Sequence, residues 1–323
     1  MKFLVYLFLF LGFATNVSAH EVYVLSPAEV RADMQAPTIS PMTVIQHNSG
    51  QFYFWAFVVV GLVAVVFFVS ITRRFEKWFD PFLMRTKHWA PIISRVTVGV
   101  SFLAGAYYQA SYGPELPIAA TYGAYSPFVV GLLALIGVLL IINKWTRFAA
   151  IVAFIMYALA VYHNGWYMLT YVNYLGEIAV LIAVSTGFAQ YSFTILRVLF
   201  GSALIFTSIY SKLWYSNLAL DTVQHVINGH PLTYYLPFEA HFLVLGAALV
   251  EIMIGLFFIL GIEIRFTALF LNFWLILSLI HFGEVVWPHI ILIGIPIAFF
   301  FYGYDKYSLE GYFFKKGDRE PVL

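Results

Sequence analysis

The chain has 323 residues, of which 62% are hydrophobic, 20% aromatic and only 10% charged, and its mean hydropathy is +0.86. Soluble domains carry about 25% charged residues, so this composition predicts an integral membrane protein surrounded by lipid. A net charge of +1 argues against a nucleic-acid partner, and the lack of cysteine excludes disulfides, thiolate metal sites and a cysteine nucleophile.

The first residues have the pattern of a secretory signal. Lys2 precedes an apolar run over 3–13, and residues 17–19 supply the small side chains of a cleavage site. We therefore expect residues 1–19 to be a signal peptide and residues 20–50 to be an extracytoplasmic segment. An uncleaved anchor helix is the alternative, although the apolar run is short for a membrane span.

Nine apolar stretches follow, each close to the length of about 20 residues that a membrane-spanning helix needs. They predict an all-α, polytopic membrane helix bundle with nine transmembrane helices after removal of the signal peptide. The stretches are 52–72, 91–110, 127–143, 147–164, 173–189, 193–212, 240–260, 266–283 and 287–303.

The basic residues predict the orientation of these spans. If nine spans alternate, twelve Lys and Arg residues fall on one side, whereas the other side holds only Arg31 and, near a helix end, Lys212. The positive-inside rule then places the C-terminus in the cytoplasm and the mature N-terminus outside the cell (inner) membrane. The signal peptide requires the same orientation. The twelve residues are Arg73, Arg74, Lys77, Arg85, Lys87, Lys144, Arg147, Arg265, Lys306, Lys315, Lys316 and Arg319.

Equal spacings in the two halves of the chain predict an internal repeat. The matched pairs are Arg95 and Arg197, Gly99 and Gly201, Gly137 and Gly255, Arg147 and Arg265, and His163 and His281. Because each unit has an even number of spans, the two copies should be parallel and related by an axis along the membrane normal.

The expected organisation is therefore one extra helix followed by two four-helix units. The extra transmembrane helix and its cytoplasmic loop occupy 51–87, the first repeat 88–189 and the second repeat 190–310. A cytoplasmic tail over 311–323 completes the chain.

The second repeat carries a family resemblance. The stretch from Glu251 through Gly255 and Arg265 to His281 resembles the core signature of the DoxX/DoxD-like membrane proteins. Arg197 and Lys212 match the basic residues on the first helix of that family. The resemblance covers roughly 190–310 and is weaker over 88–189, where Leu133 stands at the position of Glu251. It implies a membrane helical bundle and, in some relatives, a subunit of a quinone-linked sulfur oxidoreductase.

Glu251 is the clearest candidate for chemistry because it lies about ten residues from either end of its span. An isolated charge at that depth costs at least about 2.5 kcal/mol, so Glu251 should be protonated, paired or facing a wet cavity. We expect Arg197 to be its nearest basic neighbour, with snorkelling of Arg197 to the interface as the alternative. One interpretation is a polar pocket that protonates or hydrogen-bonds a quinone. The other is a structural pair that joins two helices.

Further polar residues are predicted at the outer ends of the spans. His281 is a candidate proton-transfer group, since histidine titrates near neutral pH. The catalytic candidates are Glu251, Arg197 and His281, and the candidates for cofactor contacts are Lys212, Arg265 and His241. The outer histidines and acids match no strict metal motif, so an interfacial role is preferred and a zinc or copper site is the alternative. The outer set is Asp221, His225, His230, Glu239, His241, His281, Glu284 and His289.

Three classes of function fit these observations. The preferred hypothesis is a subunit of a quinone-linked membrane oxidoreductase that works with other membrane or periplasmic subunits. The alternatives are a non-enzymatic assembly subunit and a transporter of a small solute or ion, the latter because of the parallel repeats and the mid-membrane carboxylate.

Overall fold

A computed structural model describes residues 25, 28–29, 32–33, 52–183, 186–225, 231–235, 238–282 and 287–313. The predicted signal peptide, most of the extracytoplasmic segment and the tail from residue 314 lie outside these residues. The described part is all-helical, without a strand. This agrees with the expectation for a chain in lipid, where each backbone N–H and C=O must be satisfied within its own segment.

Nine helices of eleven or more residues form the bundle in the described part, and each overlaps one of the predicted apolar stretches. They are α1 Phe52–Arg85, α2 Ala90–Tyr108, α3 Ser126–Ile141, α4 Thr146–Asn164, α5 Asn173–Ala183, α6 Ala189–Ser208, α7 Ala240–Leu260, α8 Ile264–Phe282 and α9 His289–Tyr302. Within the described residues, five helical segments, which contain α2, α3, α4, α6 and α7, are long and apolar enough to cross a membrane. The apolar helices α5, α8 and α9 are shorter.

The surface of the bundle is apolar over several helices. On α4 alone, Ile151, Phe154, Ile155 and Tyr162 are each more than half exposed. Soluble proteins rarely expose contiguous apolar surface of this extent. The architecture is therefore that of a multi-pass membrane protein with lipid-facing side chains.

Two helix crossings have the same design. On α2 and α3, Gly99 and Gly137 face each other, and a Cβ atom on Gly137 would lie 2.7 Å from the Gly99 carbonyl oxygen. On α6 and α7, Gly201 and Gly255 meet in the same way, and a Cβ atom on Gly255 would lie 2.7 Å from the Gly201 carbonyl oxygen. Small residues allow two backbones to approach closely in a membrane. These are the glycines that the sequence spacing matched.

An arginine accompanies each crossing. Arg95 on α2 donates to the carbonyl oxygens of Leu140 and Ile141 at the end of α3. Arg197 on α6 donates to the carbonyl oxygens of Phe258 and Ile259 at the end of α7. Arg197 follows Arg95 by 102 positions, and the carbonyl groups that Arg197 binds follow those that Arg95 binds by 118 positions. Each guanidinium thus binds backbone oxygens in the last turn of a helix, where the helix itself leaves carbonyl groups without an intrahelical partner.

Two further pairings join the two halves of the chain. Helix α5 packs against α6, and α9 packs against α2. Gly176 on α5 contacts Leu196 on α6, and Gly294 on α9 contacts Thr97 on α2. The two glycines are 118 positions apart, the same spacing as between the carbonyl groups that the two arginines bind. The main core is one large cluster of buried apolar residues that draws on all the helices from α2 to α9, and two small clusters lie at the short helix Ser216–Gln224.

Candidate functional site

A cavity of about 710 Å³ lies at one end of the bundle, and we call this the cavity end. Its walls come from both halves of the chain: the loop after α2, the start of α5, the later parts of α6 and α8, the first half of α7 and the start of α9. The volume is within the range of roughly 300–1,000 Å³ that is usual for small-molecule sites. Most of the lining is apolar, including Leu204, Phe242, Val250, Trp274, Leu275 and Leu292.

Glu251 faces this cavity and forms an ion pair with Lys212. The distance between Lys212 Nζ and Glu251 Oε2 is 3.0 Å, and the two side chains are only 9% and 18% exposed. Helix α7 runs from residue 240 to residue 260, so Glu251 lies near its middle, as its position in the sequence predicted. The expectation that Glu251 faces the bundle interior toward a polar partner is confirmed.

Lys212 reaches Glu251 from an irregular stretch of helix. After α6, the chain forms a π-helical turn over Ile209–Trp214 before the short helix Ser216–Gln224. Such turns widen the helix locally and occur often at functional sites. Here the turn places Tyr210, Ser211 and Lys212 on the cavity wall.

The predicted partner of Glu251 was wrong, because Arg197 is engaged at the other end of the bundle. Arg197 is 2% exposed, its Nε lies 3.6 Å from Asp305 Oδ2, and it also binds the carbonyl oxygens at the end of α7. Arg197 precedes Lys212 by fifteen residues, or about 22 Å along a helix. We call the end that holds Arg197 the arginine end.

Arg265 also lies at the arginine end, not in the cavity. It is 1% exposed, donates from Nε to the Phe300 carbonyl oxygen at 3.1 Å, and its Nη2 lies 3.9 Å from the Met84 sulfur. The glycines that end α7 and α9 make room for the two buried guanidinium groups. Gly261 has φ +68 and Gly303 has φ +73, and an added Cβ would lie 2.7 Å from Arg197 and 2.6 Å from Arg265, respectively.

The predicted histidines are dispersed. His241 lies in the first turn of α7, where its Nδ1 is 3.9 Å from Glu239 Oε1, and it does not line the cavity. His281 is in the last turn of α8, but its side chain lies outside the described residues, as do His230 and Glu284. His289 is 2% exposed and does line the cavity. Among the described side chains, no group of three or more His, Asp or Glu residues is placed to hold a metal ion.

A second polar group on the cavity wall was missed from the sequence. Glu115, in the loop after α2, accepts hydrogen bonds at Oε1 from the Tyr167 hydroxyl at 2.8 Å and from the Tyr171 hydroxyl. Its Oε2 atom is buried and has no hydrogen-bond partner among the described residues. The Tyr167 ring also lies 5.4 Å from the Tyr210 ring, which connects this group to the π-helical turn. A loop position gave no signal that could have singled out Glu115.

The cavity therefore combines apolar walls with a small set of polar groups from opposite sides. Lys212 and the tyrosine hydroxyls are hydrogen-bond donors, whereas Glu115 and Glu251 are acceptors. The charges of Lys212 and Glu251 cancel in their ion pair. Glu115 is therefore the acid that sets the net charge of these three groups, which is negative when Glu115 is ionised and neutral when it is protonated. A ligand that suits it has a flat or flexible apolar body and a polar head that both accepts and donates hydrogen bonds.

Comparisons with protein-family models, with curated proteins and with solved structures give no match to this chain. The resemblance of the second half to DoxX-like proteins stays a prediction from the residues.

Proposed function

We propose that the chain is a nine-span membrane protein of two parallel four-helix repeats that binds a quinone in the cavity, as a subunit of a DoxX-like, quinone-linked oxidoreductase. The repeat is supported by the matched crossings at Gly99–Gly137 and Gly201–Gly255, each with its arginine. In this arrangement α1 is the extra helix.

The charge distribution supports an orientation with the cavity toward the outside. The cavity is lined by the loop after α2 and by the segment between α6 and α7, which fall on the outer side when nine spans alternate. The basic residues of the α3–α4 turn and of the α7–α8 turn fall on the cytoplasmic side. A ligand would then enter the cavity from the outer leaflet or from the external face.

The observation that carries the quinone proposal is the Lys212–Glu251 pair on the wall of a largely apolar cavity. The residues fit both oxidation states of a quinone head group. Lys212 and the tyrosine hydroxyls can donate to carbonyl oxygens, and the unpartnered Oε2 of Glu115 can accept from a hydroxyl. The apolar wall would contact the ring and the start of an isoprenoid tail. A bound quinone supplies two-electron chemistry, whereas the chain itself supplies orientation, exclusion of water and carboxylates that hold protons.

A binding measurement tests this proposal. The purified protein in mild detergent is extracted for quinone, identified by mass spectrometry, and then titrated with a short-chain quinone while tryptophan fluorescence is recorded. Trp274 lines the cavity, so quenching that disappears in Trp274→Phe reports on this site. We expect Lys212→Met to weaken binding by about ten-fold or more, since a hydrogen bond from a charged donor contributes about 1.5–3 kcal/mol.

Lys144→Met is the matched control, because Lys144 is exposed in the turn between α3 and α4. The double variant Lys212→Met/Glu251→Gln separates lost binding from a stranded carboxylate, since it removes both charges. Equal quinone affinity in the parent protein, in Lys212→Met and in the double variant would contradict the proposal.

Transport is the second candidate, favoured by the position of the ion pair. Glu251 lies near the middle of α7, where the two halves of the chain enclose the cavity, and transporter sites are often found at such interfaces between repeats. Proteoliposome uptake of a small solute that is lost in Glu251→Gln, together with an absence of quinone quenching, would favour this function over the first.

A further inference from the structure

Glu177 on α5 is a buried acid that the quinone site does not use. Its side chain is 0% exposed, and its Oε2 atom accepts a hydrogen bond from the Ser94 hydroxyl on α2. Its Oε1 atom has no hydrogen-bond partner among the described residues. Glu177 thus lies between α5 and α2 with one of its oxygen atoms unsatisfied.

Among the residues that the structure describes, no cation compensates the charge of Glu177. Helix α2 presents Ser94, α5 itself presents Tyr174 one turn away, and α6 presents Leu196, which packs on the neighbouring Gly176. On α4, the hydroxyl of Tyr157 is engaged with the Met168 carbonyl oxygen. No described basic side chain pairs with Glu177. Because an unpaired carboxylate in a dry interior costs several kcal/mol, the neutral acid is the form that this position favours.

A cluster of tyrosines connects Glu177 with the cavity. Tyr174 lies one turn before Glu177 on α5, and its hydroxyl shares a hydrogen bond of 2.7 Å with Ser101. The ring of Tyr112 lies 4.9 Å from that of Tyr174 and 6.0 Å from that of Tyr171, which donates to Glu115. The Tyr112 hydroxyl is buried and has no hydrogen-bond partner in the described part of the chain.

We propose that Glu177, with Ser94, is a proton-binding site inside the membrane, which exchanges its proton with the cavity through the Tyr174–Tyr112–Tyr171 cluster and Glu115. Oε1 is the oxygen available to carry the proton, since Oε2 already accepts from Ser94. No hydrogen bond joins the Tyr112 hydroxyl to those of Tyr174 and Tyr171 in the described part of the chain, so release requires rotation of the Tyr112 hydroxyl, which has no partner there. That hydroxyl accepts a proton on the side toward Glu177 and gives up its own on the side toward Glu115. Each hydroxyl therefore ends neutral, and the proton is transferred from one carboxyl group to the other. The site does not depend on what the cavity binds.

Infrared spectroscopy of the full chain in lipid bilayers at neutral pH tests the proton site. We expect a carboxylic-acid C=O band that disappears in Glu177→Gln and shifts to higher frequency in Ser94→Ala, which removes its hydrogen bond. Glu310→Gln is the matched control, because Glu310 is also buried but lies at the arginine end, where its Oε2 accepts from the Ile264 backbone N–H. A spectrum that is unchanged in Glu177→Gln and in Ser94→Ala would overturn the site, since Glu177 would then be ionised.

The route is tested by the rate at which the same band shifts in D₂O. We expect exchange to slow by roughly ten-fold or more in Tyr174→Phe, because a positioned proton-transfer group contributes at least that much. Tyr157→Phe should leave the rate unchanged, since the Tyr157 hydroxyl binds a backbone carbonyl instead. Equal rates in Tyr174→Phe and the parent protein would overturn the route. Both tyrosine variants keep Glu177, so this measurement stands even where Glu177→Gln does not fold.

Discussion

At the residue scale, the two ends of the bundle use buried charge differently. At the cavity end, Lys212 and Glu251 form a pair that is reachable from a cavity. At the arginine end, Arg197 is enclosed by Asp305 and by three backbone carbonyl groups, including that of Tyr307 at 3.5 Å from Nη2. The first arrangement suits ligand binding and the second suits attachment of the segment that follows α9.

We therefore predict that Arg197 contributes mainly to stability. Arg197→Leu leaves Asp305 buried without its cation and should lower the free energy of unfolding by about 3–5 kcal/mol. The measurement is thermal unfolding in detergent. Arg147→Leu is the control, because Arg147 is exposed, and its effect should stay within about 0.5 kcal/mol. A normal melting temperature in Arg197→Leu would show that Asp305 does not depend on Arg197 as a buried partner. Loss of quinone binding in a stable Arg197→Leu protein would indicate that the quinone binds at the arginine end.

At the element scale, the glycine crossings predict which small residues are essential. A Cβ atom at Gly137 would lie 2.7 Å from the Gly99 carbonyl oxygen and 2.7 Å from Leu103 Cγ. Gly137→Ala should therefore push α2 and α3 apart and destabilise the protein by about 1–3 kcal/mol.

Gly131→Ala on the same helix is the matched control, because no atom lies within 4 Å of its added Cβ. It should be neutral or stabilising by up to about 1 kcal/mol, since alanine is the better helix former. Melting temperatures of the two variants compare them directly. A Gly137→Ala protein as stable as Gly131→Ala would contradict the close crossing.

A second element-scale prediction concerns Leu25 and Asp33, which contact the short helix Ser216–Gln224. Leu25 packs against Leu218 there, and burial raises the pKa of the Asp33 carboxyl, with Asp221 raising it further. A raised pKa means that the docked segment binds its proton more tightly than the detached one. Docking is therefore strongest below the ordinary pKa of aspartate and weakens as pH rises through the raised pKa.

Hydrogen exchange of the peptide that holds Leu25 and Asp33 measures this contact. Protection should increase from neutral pH to about pH 4, and Asp33→Asn should keep the peptide protected at both pH values. Protection that falls toward acid pH in the parent protein would reverse the sign of the interaction between Asp33 and Asp221.

At the scale of the whole molecule, the proposed orientation places the turn at Lys144 in the cytoplasm and Glu239 outside. The chain has no cysteine, so single cysteine substitutions report without a background. We expect a membrane-impermeant maleimide to label Glu239→Cys in intact spheroplasts and Lys144→Cys only after lysis. Both positions are exposed in the structure. Labelling of both before lysis would contradict an odd number of spans between them.

Much of the element layout was determined by the sequence alone. Lipid forces each spanning segment to satisfy its own backbone, so apolar runs become helices, and the predicted stretch 240–260 coincides with α7. The equal spacings also identified Gly99, Gly137, Gly201 and Gly255, which the structure places at the two crossings. Glu177 was missed, although a carboxylate within an apolar stretch carries the same signal that singled out Glu251.

What only the tertiary structure decided is which charges meet. Sequence gives the depth of a residue within its span, but not the rotation of the helix or which segments of neighbouring helices lie side by side. Depth alone favoured Arg197 as the partner of Glu251, whereas α6 and α7 cross at Gly201–Gly255 and the π-helical turn after α6 turns Lys212 toward the acid. The cavity has the same origin, because its walls come from distant stretches of the chain that only packing brings together. Local hydropathy determines where the helices form. The contacts between helices depend on the fit of their surfaces and on the pairing of buried charges, and both involve residues from more than one segment.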